Sequence, residues 1–142
     1  MERGTTLAEV MSVTLIVALM ASVITPTARR MLDRIAVQNA AQQVAAIHET
    51  ARQAAIARGT MARYEIAKDR PVVAFMAKSR SGSWDTLHVW SLGAVQLRTS
   101  QRVVTFSPLG IGYGASNTTL VILRGAAVET LTVSRTGRLR VK

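Results

Sequence analysis

The 142-residue sequence predicts an α+β fold, in which a long N-terminal helix packs on a small antiparallel β-sheet or sandwich. The first half of that helix is expected to span a membrane. Three observations carry the prediction. Residues 10–28 form an uncharged, apolar run. Ala40, Val44, Ile47, Ala51, Ala54 and Arg58 recur at alternating intervals of four and three, which places them on one face of a helix. After Gly59 the chain breaks into short β-rich segments divided by turn residues.

The apolar run is long enough to cross a bilayer, for which about 20 mostly apolar residues suffice. A removed signal peptide would carry a shorter apolar region followed by a small-x-small cleavage site, whereas this run continues into a helical pattern. Glu9 sits at its front edge. An ionised carboxylate costs about 2.5–3.5 kcal/mol at mid-membrane, so an acid here signals either a function or simply the water boundary. Pro26, near the end of the run, removes a rung of the helical ladder and predicts kinking or local melting.

From 29 to 58 the periodic face is slender and rich in alanine, which suits close approach to a sheet. Gly59 is the expected stop, with Arg58 in the last turn where a cation complements the helix dipole. An unbroken helix from Leu7 to Arg58 would be about 80 Å long at 1.5 Å per residue. That is too long to bury in one small domain, so its first half must lie in lipid or among other subunits.

The expected strands are 60–66, 71–77, 84–91, 94–98, 102–107, 118–123, 127–134 and 138–141. Between them lie turn signals such as Asp69-Arg70-Pro71, Ser81-Gly82-Ser83, Leu92-Gly93, Arg124-Gly125 and Thr136-Gly137. Alternation places Trp84 and Trp90 on one face of their strand, where a core role is expected. The segment 107–114 has glycines at alternate positions, but a phosphate-binding loop needs a helix after it, and a strand-like run follows. It is read as a flexible β-connection.

The net charge is +10, of which residues 59–142 carry +8 and residues 29–58 carry +3. A basic surface of this kind attracts nucleic acid, anionic headgroups or acidic proteins. The chain has no cysteine, which excludes disulfides, thiolate metal sites and a cysteine nucleophile. His48 and His88 are the only histidines, and neither has further ligands at metal spacing. Glu65, Asp69, Asp85 and Glu129 form no paired-acid pattern. No catalytic constellation, metal site or cofactor motif is present, and no enzymatic activity is expected.

The sharpest local feature is the carboxyl end, Gly137-Arg138-Leu139-Arg140-Val141-Lys142. Strand alternation sends Leu139 and Val141 inward and Arg138, Arg140 and Lys142 outward, with Arg135 joining from the turn. Such a row either meets phosphate, as in sequence-independent DNA contact, or guards a strand edge against aggregation.

Gly4-Thr5-Thr6-Leu7-Ala8-Glu9 followed by an apolar helix resembles the signature of type IV pilins and pseudopilins. The resemblance implies that prepilin peptidase cuts after Gly4, leaving residues 1–4 as leader and Thr5 as the N-methylated first residue. Thr5 stands where most members have Phe. Assembly would rest on Leu7, on Glu9, whose carboxylate would neutralise a neighbour's free amino terminus, and on Pro26, a position where such proteins often carry proline. The implied layout is a transmembrane and assembly half at 5–28, an amphipathic half at 29–58 and a β-rich domain at 59–142. The chain would cross the bacterial inner membrane once with its C-terminal domain in the periplasm, and would join other pilins in a pilus or pseudopilus. Residues 51–59, 103–110 and 131–141 resemble the branch of minor pseudopilin H and fimbrial-biogenesis T proteins. The implied function is a structural subunit of a type IV pilus or type II secretion filament. The alternative is a subunit binding double-stranded DNA during natural transformation, since Gly137-Arg138-Leu139-Arg140 resembles a motif of DNA-binding fimbrial T proteins.

Overall fold

The computed structural model describes residues 6–114 and 117–142, apart from the side chain of Val23. Helix α1 is Leu7–Arg58, and nine strands follow: β1 Ala62–Ile66, β2 Val72–Lys78, β3 Trp84–Ser91, β4 Gln96–Thr99, β5 Val103–Phe106, β6 Gly112–Tyr113, β7 Thr118–Arg124, β8 Ala127–Val133 and β9 Leu139–Val141. The chain divides into two units, Met1–Leu32 and Asp33–Lys142.

In the first unit every described side chain is exposed. The polar residues do not interrupt its apolar character, because their hydroxyls fold back on the helix. Ser12 donates to the Ala8 carbonyl at 2.8 Å, Ser22 to Leu19 at 2.7 Å and Thr25 to Ala21 at 2.7 Å. Such bonds let a hydroxyl sit in an apolar medium without an unmet partner. The chain remains helical through Pro26 without local melting.

The second unit is built around the later turns of α1. Val37, Ala40, Ala41, Val44, Ile47, Ala51 and Ala55 are all buried. Ala54 is half-buried against this core, whereas Arg58 is exposed at the helix end and falls outside the buried stripe. The stripe is wider than the expected one because both sheets share the core with it. Gly59 ends the helix with φ 60°, a left-handed conformation that costs a residue with a Cβ about 1–2 kcal/mol.

The first sheet has the order β3-β2-β1-β5-β6 and the second β4-β7-β8-β9, and every pairing is antiparallel. Strand alternation supplies the core: Ala62, Tyr64 and Ile66 from β1, Val73, Phe75 and Ala77 from β2, Leu120 and Ile122 from β7, Leu131 and Val133 from β8. Tyr64 and Phe106 are the largest fully buried side chains.

Two further expectations change, and a third is qualified. Residues 107–114 are not a free connection, since Gly112–Tyr113 forms β6 against β5. Trp84 and Trp90 do not share a face: a bulge on β3 lets Met76 pair with Thr86 and Phe75 with His88, so Leu87 is extra and the alternation inverts. Trp90 packs against the core, while Trp84 lies on the other face beneath the Arg63 guanidinium, 4.2 Å from its ring centre. Val141 lies opposite Leu131 and so shares the core-facing side of β9 with Leu139, as alternation predicts, but it is 51% exposed at the end of an edge strand.

Candidate functional site

Three places stand out: the amino end and the basic carboxyl end carry the sequence-predicted site residues, whereas the one around His48 is not a sequence-predicted site. The first is the amino end, of which Gly4 and Thr5 lie outside the described residues. Leu7 and Glu9 occupy the first turn of α1 and are exposed. The Glu9 amide bonds the Thr6 hydroxyl at 3.3 Å and the Thr6 carbonyl at 3.0 Å. Thr6 is therefore the helix cap, and Thr6-Leu7-Ala8-Glu9 has the spacing of a capping box. This role was legible in the sequence and was missed there. An acid also suits the positive end of a helix dipole, which supplies a local reason for Glu9 in addition to assembly. The segment behind it has a mean hydropathy of 2.3 over 18 residues, none of them buried, and is long and apolar enough to cross a membrane.

The second place is a buried polar contact that joins three remote parts of the chain. His48, 3% exposed, stands within hydrogen-bond reach of two partners: the Gly137 carbonyl at 2.9 Å from Nε2 and the Tyr64 hydroxyl at 3.2 Å from Nδ1. A carbonyl only accepts, so Nε2 carries the proton and Nδ1 accepts from Tyr64. Burial pushes the imidazole below its usual pKa, opposed in part by the Gly137 carbonyl, and burial raises the Tyr64 phenol. Both groups are neutral near pH 7 with their hydrogen bonds met. The Phe106 ring stands edge-on to the imidazole at 5.0 Å. His48 is thus a structural tie and no ligand.

One helical turn on, the Arg52 Nε donates to the Gly110 carbonyl at 3.1 Å. His48 and Arg52 hold two turns of the same design. In Ser107-Pro108-Leu109-Gly110 and in Ser134-Arg135-Thr136-Gly137 the glycine amide donates to the serine carbonyl at 2.9 Å. Both glycines have positive φ, 72° and 78°. A Cβ on Gly137 would also come within 3.0 Å of Phe106 and 3.3 Å of the Gly112 amide, so only glycine fits without movement.

The tie matters because the second turn begins the third place, the basic edge. Arg135 and Arg138 flank Gly137, and Arg140 and Lys142 follow on and beyond β9, all four exposed. Among the described residues none of these four forms an ion pair. Asn117, Thr132, Ser134, Thr136, Arg138 and Arg140 line an open groove beside them. Arg140 pairs across the ladder with Thr132, so the guanidinium and hydroxyl share a face. The arrangement presents cations and neutral hydrogen-bonding groups to solvent, with no acid from 130 to 142.

His88 is exposed, with its ring 4.3 Å from that of Trp90. Among the described residues no group of three or more His, Cys, Asp or Glu side chains could hold a metal ion.

No family model and no curated protein matches the sequence. Solved structures do. The type IV minor pilin FimU of Pseudomonas aeruginosa is 19% identical, covering 75% of this chain and 87% of that one, with a TM-score of 0.63. The minor pseudopilin EpsH from the type 2 secretion system of Vibrio cholerae is 17% identical, covering 75% of this chain and 95% of that one, also at 0.63. A further crystal structure of EpsH covers 77% of this chain and 97% of that one at 14% identity, with a TM-score of 0.64. The chain has the fold of these minor pilins and pseudopilins.

Proposed function

We propose that this chain, which shares its fold with minor pilins and pseudopilins, is a non-enzymatic structural and assembly subunit of a type IV pilus or type II secretion filament. The observation that carries the reading is the pairing of that fold with an uncharged helix segment whose described apolar side chains are all exposed. Such a surface is unstable in water and must be covered by lipid or by similar helices. In the bacterial inner membrane the segment anchors the chain once, with the β domain in the periplasm. In the filament the same segment packs among the helices of other pilins, and Glu9 meets the amino terminus of a neighbour. A buried carboxylate needs such a partner, because an unpaired one costs several kcal/mol. Cutting after Gly4 by prepilin peptidase releases that amino terminus, and the freed amine of Thr5 is then methylated.

Intact-mass analysis of the chain expressed with and without a prepilin peptidase tests the processing step. The expected result is loss of residues 1–4 and gain of one methyl group only when the peptidase is present, and neither change in a Gly4→Val chain. An unchanged mass with active peptidase would remove the processing step from the proposal.

A second reading rests on the acid-free row Arg135, Arg138, Arg140 and Lys142 beside its groove: contact with double-stranded DNA during uptake. Arginine reaches phosphate bidentately, and affinity built on phosphate contacts falls steeply with salt. Titration of the full chain in detergent with duplex DNA is expected to show micromolar or tighter binding that weakens with salt and is lost in Arg138→Gln/Arg140→Gln. No binding at low salt, or equal binding by both proteins, would exclude this reading.

A further inference from the structure

Four strands have no neighbour on their outer side among the described residues: β3 and the two-residue β6 in the first sheet, β4 and β9 in the second. A terminal strand leaves a row of N–H and C=O groups unpaired, a ready template for another strand. In β9 the bonding shows which groups these are. Thr130 and Lys142 exchange both backbone hydrogen bonds, at 3.2 and 2.9 Å, and Ser134 donates to Arg138 at 2.9 Å. By antiparallel alternation Leu139 and Val141 turn their N–H and C=O groups to the free edge.

Of these edges, β3 and β9 are chemical opposites. In a chain of net charge +10, residues 81–97, which include β3, hold no Lys or Arg and one acid, Asp85. Residues 130–142, which include β9, hold no acid and four cations, Arg135, Arg138, Arg140 and Lys142. Both edges also expose aliphatic side chains, Leu87 and Val89 on β3 and Val141 on β9. The bulge at Leu87 disturbs only the middle of β3, and His88–Ser91 resumes a regular register with β2.

We propose that the edge of β9 in one copy of this chain adds to the edge of β3 in the next, so that a sheet of one copy continues into a sheet of its neighbour. The charge match selects this pairing. Two β9 edges would bring like charges together, which is unfavourable across a strand pair; two β3 edges lack a Lys or Arg to meet Asp85; β6 is uncharged, and β4 offers Asp85 one cation, Arg98, where β9 and its flanks offer four. A contact between two different patches is heterologous, and unless its rotation closes a ring it propagates into an open helical array. The inference rests on the reading of the chain as a filament subunit and identifies a second copy as the neighbour of its β domain.

The absence of cysteine makes the test clean, because introduced thiols have no other partner in this chain. Full-length chains carrying Val89→Cys and Val141→Cys, alone, mixed and combined in one chain, are oxidised in membranes. Mixed copies are expected to give a covalent dimer that neither gives alone, and the doubly substituted chain a ladder of multimers. Val128→Cys, on an exposed site of β8, is the folded control and should not link to Val89→Cys. Asp85→Lys should reduce the mixed dimer at least several-fold, and Arg138→Glu/Arg140→Glu on the other copy should restore it. Dimers from Val89→Cys alone, equal linkage to Val128→Cys, or no mixed dimer would overturn the proposal. Failure of the dimer to form when nuclease treatment precedes oxidation would also overturn it, in favour of DNA bridging. Incorporation into filaments is scored in the same cells. Incorporation without the dimer refutes the strand contact and leaves the subunit reading intact, whereas the dimer without incorporation does the reverse.

Discussion

His48 shows at the scale of one residue how the core depends on a neutral polar group. Its ring lies between Tyr64 and the Gly137 carbonyl, 16 and 89 residues away in sequence. The sequence displays a lone histidine on a helix, and nothing local to it announces those partners, whereas Gly59 and Gly137, whose requirement is a local backbone angle, were legible as turn signals. The pH dependence follows from burial. The folded-state pKa lies below the unfolded value of about 6.5, so between the two the unfolded chain binds the extra proton. The stability His48 contributes is complete above about pH 6.5 and declines as the pH falls through the folded-state value. Melting temperatures of the full chain in detergent from pH 8 to pH 5 are expected to fall on acidification, and to fall less in His48→Gln, whose amide N–H still reaches for the Gly137 carbonyl. Equal slopes would show that the imidazole stays neutral or pairs equally well when charged.

At the scale of elements, α1 and most strands were legible because each follows a repeat that sequence shows directly, 3.6 in the helix and 2 in the strands. Irregularities were not. The bulge that moves Trp84 and Trp90 to opposite faces adds one residue to β3 and is set by its pairing with β2. β6, two residues long, exists only because β5 lies beside it. The alanine-rich stripe of α1 was legible, and its consequence is measurable. Ala51 is fully buried where the helix meets the core, so Ala51→Leu should cost about 1–3 kcal/mol through overpacking. Ala46→Leu, on the exposed side of the same helix, should change stability by about 0.5 kcal/mol or less. Chemical denaturation of both variants distinguishes a packed helix face from a merely covered one, for which the two costs would be equal.

At the scale of the whole molecule the chain is a membrane-length apolar helix segment followed by a basic β domain with the fold of minor pilins and pseudopilins. The apolar segment and the excess of cations were legible from composition. The order of strands in two sheets was not, because it depends on pairings between remote segments such as β1 with β5 and β4 with β7. Assembly in the proposed filament turns on one exposed acid in the first turn of α1, Glu9. Incorporation of the full chain into sheared filaments, beside its content in the membrane fraction, tests this directly for wild type and Glu9→Val. Glu9→Val is expected to reach the membrane at the wild-type level and to be lost from filaments at least tenfold. Equal incorporation of the two chains would contradict the assembly role of Glu9 and leave it as an acid suited to the positive end of the α1 dipole.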